Sequence, residues 1–132
     1  MLDLRQKRMQ IGTRRFLKYR APLYIYAGII FYMSSLPQPL PAIPILSFDK
    51  VLHIIEYAVF GLLAVRAFKY STQKMFYESF KILALLLTIL YGVSDEVHQL
   101  FVPSRQFSVF DIAADTIGGM LGVLLYGRYH TF

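Results

Sequence analysis

The chain contains no cysteine. That excludes a disulfide framework, a thiolate metal site and a thiol nucleophile. Charge is also scarce: only 17% of the 132 residues are Asp, Glu, Lys or Arg, against about 25% in soluble domains. No internal repeat and no low-complexity linker is visible, so one domain is expected. What fills the space is apolar. Hydrophobic residues make up 56% of the chain, above the roughly 45–50% of soluble domains, and they come in long runs. The composition therefore points to an integral membrane protein. The net charge of +6 raises nucleic acid as a partner, but its distribution argues against that. Seven of the fourteen basic residues precede Pro22, and a basic cluster beside an apolar segment is the usual cytoplasmic flank of a membrane span.

Taken in order, residues 1–21 form a basic arm at the cytoplasmic surface. Pro22–Leu36 is the first apolar run, short of the roughly 20 residues a span needs. Phe16 and Leu17 extend it if Lys18 and Arg20 snorkel to the headgroups. A signal peptide is the rival reading; a retained helix is preferred because no clean cleavage pattern follows. Pro37, Pro39, Pro41 and Pro44 predict an extended connection. Ser47 is placed to cap a second helix running to about Phe68, with Asp49, His53, Glu56 and Tyr57 on one face. A third span, Phe80 to about Val102, is aliphatic at first and then carries Tyr91, Asp95, His98 and Gln99 along one stripe, with Glu96 beside them. Pro103-Ser104-Arg105 makes a tight connection. Ser108, with Asp111 three residues on, reads as the cap of a fourth span, Val109–Tyr126. Ala114, Gly118 and Gly122 give that span a stripe of small residues suited to close helix contact.

Basic residues fix the orientation. The 37–48 connection has none and the 101–108 connection has one, while the N-terminal arm and the 66–81 region hold eleven together. Both termini are therefore predicted to be cytoplasmic. The start of span two, the end of span three and the start of span four then meet at the outer face. Six of the eight carboxylates converge in that layer, with Asp115 roughly 10 Å below Ser108 at 1.5 Å per residue. Acids so close to hydrocarbon require compensation.

Asp111 and Asp49 have a simpler role as acids in the first turn of a helix. Asp95 and Glu96 sit near a helix C-terminus, where the dipole disfavours them, so Arg105, Lys50, His53 or a metal ion must balance them. A buried ion-pair network is one solution. The other is a functional site, with Glu96 as base and His53 as its partner in catalysis. Arg105, Lys50, Gln99 and Tyr57 would then bind a ligand or anion, and Asp95, Asp111 and Asp115 would hold a hard cation such as Mg²⁺ or Ca²⁺. His98 is expected at the solvated rim.

The ordered set Asp49-Lys50-x-x-His53-x-x-x-Tyr57, Asp95-Glu96-x-x-Gln99, Arg105 and Asp111-x-x-x-Asp115-x-x-Gly118-x-x-x-Gly122 resembles the VanZ-like family over about residues 25–126. That family is named for a protein associated with teicoplanin resistance. The resemblance implies a small multi-span protein of the cell envelope, without supplying a chemical mechanism. The expected architecture is an all-α, integral membrane four-helix bundle: a basic cytoplasmic arm (1–21), a four-span domain (22–126) and a short cytoplasmic tail (127–132). Its expected partners are the lipid bilayer and a lipid-linked envelope precursor. A non-enzymatic envelope factor is the alternative. A transporter ranks last, because the inner halves of the spans are apolar.

Overall fold

The computed structural model describes residues 3–37 and 48–129. The predicted cap at Ser47 and the prolines at 39, 41 and 44 lie outside the described residues. Within them the chain is helical, with no strand. The elements are α1 (Leu4–Arg15), a π-helical turn (Phe16–Arg20), α2 (Ala21–Ser34), α3 (Phe48–Lys69), the short α4 (Lys74–Glu78), α5 (Phe80–Gln99) and α6 (Val109–Tyr129).

The basic arm is not a separate segment. It runs through the π turn straight into α2. Pro22 lies in the first turn of α2 and lacks the N–H that a helix there would donate backwards. The wider turn just before it absorbs that break: the Ala21 N–H reaches the Phe16 carbonyl, five residues back. Every residue of α1 is exposed.

The α3–α6 pair forms the main seam of the fold, and α5 packs against both. The small residues read from the sequence explain the closeness. A methyl added at Gly118 would strike the Ile54 carbonyl, and one at Gly122 would strike the Ala58 carbonyl. Across the same seam a Cβ on Gly61 would stand 2.6 Å from the Gly119 carbonyl oxygen. Two backbones in contact gain dispersion along the whole crossing, which is what holds helices together where lipid offers no hydrophobic contrast. Below this seam Phe60, Ala64, Val65, Ala84 and Val123 make the apolar core, joined by Leu23 and Ile30 of α2.

Polar and apolar residues are arranged inside out. Ile82, Leu86 and Leu90, successive at helical spacing on α5, are 67%, 50% and 65% exposed, whereas Glu96, Asp115 and Thr88 are fully buried. An exposed apolar belt around buried acids is the pattern of a protein surrounded by lipid. By length and apolarity two helices qualify to cross a membrane, Phe48–Lys69 and Val109–Arg128. α5 is as long but carries Lys81, Asp95 and Glu96. α2 has 14 residues, short of the roughly 20 required alone.

Candidate functional site

The start of α3, the end of α5, the start of α6 and the end of α2 lie at the same end of the molecule. The helical repeat puts Asp49, Lys50, His53 and Glu56 on one side of α3, and that side meets α6. Lys50 Nζ pairs with Asp111 and lies 3.4 Å from Asp49 Oδ2. His53 Nδ1 is 2.8 Å from Asp115 Oδ1, and its Nε2 is 4.0 Å from Asp111 Oδ2. One imidazole thus bridges two aspartates a turn apart on α6.

The cap of α6 differs from the expected reciprocal box. Ser108 Oγ accepts the Asp111 N–H at 3.2 Å, as predicted. The return bond comes from another helix: Glu96 of α5 accepts the Ser108 N–H at 2.8 Å. Asp111 is thereby free to pair with Lys50. Asp115 fits because position 92 is glycine; a Cβ there would stand 3.0 Å from Asp115 Oδ2. Two buried carboxylate oxygens, Glu96 Oε1 and Asp115 Oδ2, have no hydrogen-bond partner among the described residues.

Several expected residues take other places. Arg105 lies on the end of α2, with Nε donating to the Leu36 carbonyl and an Nη to the Met33 carbonyl, both at 3.0 Å. The last carbonyls of a helix are unsatisfied and partly negative, so they compete for the guanidinium. Among the described residues Arg105 forms no ion pair. His98 is not a solvated rim residue: its ring stacks on Phe31 with centroids 4.5 Å apart, and its Nε2 pairs with Ser35 Oγ at 2.9 Å. Tyr57 is fully buried against Phe60 and Tyr91 and does not reach the cavities described below. Gln99 donates to Asp95 Oδ2 at 3.4 Å, one turn away.

Two cavities open on this layer. The first, about 430 Å³, lies between α2, α3 and α5. His53, Glu56, Asp95 and Arg105 form its polar side, and Leu52 and Ile55 part of its apolar side. The second, about 420 Å³, is bounded by Lys50, His53, Asp111 and the 104–108 connection. His53, Asp49, Gln99 and Arg105 line both. Glu96 and Asp115 stand behind His53 rather than in either wall. Asp49 and Glu56 are wall residues absent from the candidates drawn from the sequence. Their shared face with His53 was the available signal.

Two groups can converge on an ion. One ligand atom each from His53, Glu96 and Asp115 lie within 4.8 Å of one another, as do those of Asp49, His53 and Asp111. Asp95, expected among metal ligands, joins neither group.

An all-helical chain with two membrane-length helices and a buried acid–histidine layer has the character of a membrane protein. The chain belongs to the VanZ/LLP1 family, whose profile matches residues 5–130. The match takes in the basic helix α1, which the resemblance read from the sequence left out. An uncharacterized protein of Schizosaccharomyces pombe is 30% identical over 90 residues, covering 68% of this chain and 53% of that protein. The chain thus spans about half the length of that curated relative. No solved structure matches.

Proposed function

We propose that the chain crosses the cell membrane four times, through α2, α3, α5 and α6, with both termini cytoplasmic, and that its acid–histidine layer faces outward. There the first cavity binds the polar head of a lipid-linked envelope molecule. The observation that carries this reading is the amphipathic wall of that cavity. Glu56, Asp95 and Arg105 meet the head, while Leu52 and Ile55 continue to the lipid-facing surface, so a lipid-anchored group enters sideways. His53 is the wall residue able to exchange a proton with it, oriented through Nδ1 by Asp115. A change in tolerance to glycopeptide antibiotics follows if the bound molecule is a cell-wall precursor.

The test is a mass-spectrometric profile of lipid-linked envelope precursors. Cells lacking the chain are compared with cells holding wild type or membrane-inserted His53→Gln. One species accumulating both in its absence and with His53→Gln is the expected result. Identical profiles would count against the reading. They would favour a structural role instead, in which Lys50–Asp111 and His53–Asp115 fix the register of α3 on α6. In that case exchanging the charges of Lys50 and Asp111 together should restore function lost in either single change.

A further inference from the structure

We propose that His53, Glu96 and Asp115 hold one divalent cation of the Zn²⁺ or Mn²⁺ class behind the cavity wall. Each supplies a ligand atom within 4.8 Å of the other two. Proximity of acids alone would not justify an ion. The second observation is that Glu96 and Asp115 are fully buried and each keeps one carboxylate oxygen, Oε1 and Oδ2, without a partner. Buried carboxylate oxygens are normally hydrogen-bonded, paired or metal-bound. The neighbouring cations are committed elsewhere: Lys50 to Asp111 and Asp49, Arg105 to the carbonyls of Met33 and Leu36. Among the described residues neither Glu96 nor Asp115 has a Lys or Arg within 4.0 Å.

The donor set selects the ion. One imidazole with two carboxylates suits Zn²⁺ or Mn²⁺, whereas Ca²⁺ prefers about six to eight oxygens. This departs from the hard cation expected from the acids alone. Three protein ligands leave a coordination position open. His53 is the member that also lines the cavities, so the open position lies near them. Glu96 would hold the ion and the α6 cap at once, through different oxygens. The inference does not depend on what enters the cavity.

The full chain, purified without a polyhistidine tag and reconstituted in nanodiscs, is equilibrated with Zn²⁺ or Mn²⁺. Bound metal is then counted by inductively coupled plasma mass spectrometry. About one tightly held ion per chain is expected, together with a metal-dependent rise in Tm. Asp115→Asn and Glu96→Gln should lose the ion while keeping wild-type helical circular dichroism. Asp49→Asn should retain it. X-ray absorption of the loaded protein should show a mixed nitrogen–oxygen shell. Substoichiometric metal with no rise in Tm in the wild-type protein overturns the proposal without relying on any variant. So does loss of the ion in Asp49→Asn with retention in Asp115→Asn, which would place it at the Asp49–His53–Asp111 group.

Discussion

The two ends of the bundle treat charge in opposite ways. At the acid end carboxylates are buried and share few partners: His53 serves Asp115 and approaches Asp111, and Lys50 serves Asp111 and Asp49. At the other end, where α2 and α5 begin and α3 and α6 finish, cations rest on aromatic faces. Lys18 and Arg66 lie 5.2 and 5.3 Å from the centre of the Tyr19 ring. Lys69 lies 5.1 Å from Tyr126 and 5.7 Å from Phe80. Arg15 donates to the Tyr70 carbonyl and Arg20 to Ser71 Oγ. Long basic side chains bury their stems and reach water or headgroups, so this end tolerates its charge cheaply. Short acidic side chains cannot do so. An aspartate one or two turns inside a helix must find its partner in the protein. The contrast separates an anchoring end from a binding end.

The seam joining both ends is the most sensitive place to break the comparison. Gly118→Leu drives a side chain into the Ile54 carbonyl. Overpacking costs about 1–3 kcal/mol, and more where backbone must move, so a loss above about 3 kcal/mol is expected in thermal unfolding of the reconstituted protein. Next is Lys50→Ala, which strips the lysine from Asp111. Breaking a buried pair costs about 3–5 kcal/mol; Lys50 is partly exposed, which reduces the expected loss to about 2 kcal/mol. Ser108→Ala removes the cap of α6 and should cost about 1 kcal/mol. It should leave the Glu96 bond, which uses the Ser108 backbone N–H. At the opposite end Arg66→Ala removes a cation–π contact worth about 0.5–1 kcal/mol at an exposed site. A melt in which Arg66→Ala costs as much as Lys50→Ala would erase the distinction between the ends.

Much of the acid end was legible because it follows from spacing. Asp49 and His53, and Asp111 and Asp115, stand four residues apart on their helices. The glycines at 118 and 122 declare a close crossing, and Ser108 with Asp111 declares a helix start. The partners across helices were not legible. Arg105 lies on carbonyls of α2, His98 lies against Phe31, and Glu96 completes a cap on α6. Each depends on which helix lies alongside, which no local pattern encodes. The π turn follows from Pro22 only once the chain is seen to continue as helix on both sides of it. Tyr57 shares a face with His53 in the sequence, yet the helix turns it into the core against Tyr91. Its spacing was read correctly, but whether it met cavity or core depended on α5.

The absence of native cysteine permits one direct test of the central claim that the acid–histidine layer opens outward and the basic end faces the cytoplasm. Single cysteines are placed at the exposed positions Gln106, beside the acid layer, and Gln73, between α3 and α4. Each is then exposed to a membrane-impermeant thiol reagent. Labelling of Gln106→Cys in intact cells, with Gln73→Cys labelled only after the membrane is opened, is the expected result. The reverse pattern would place the acid layer in the cytoplasm and contradict the account.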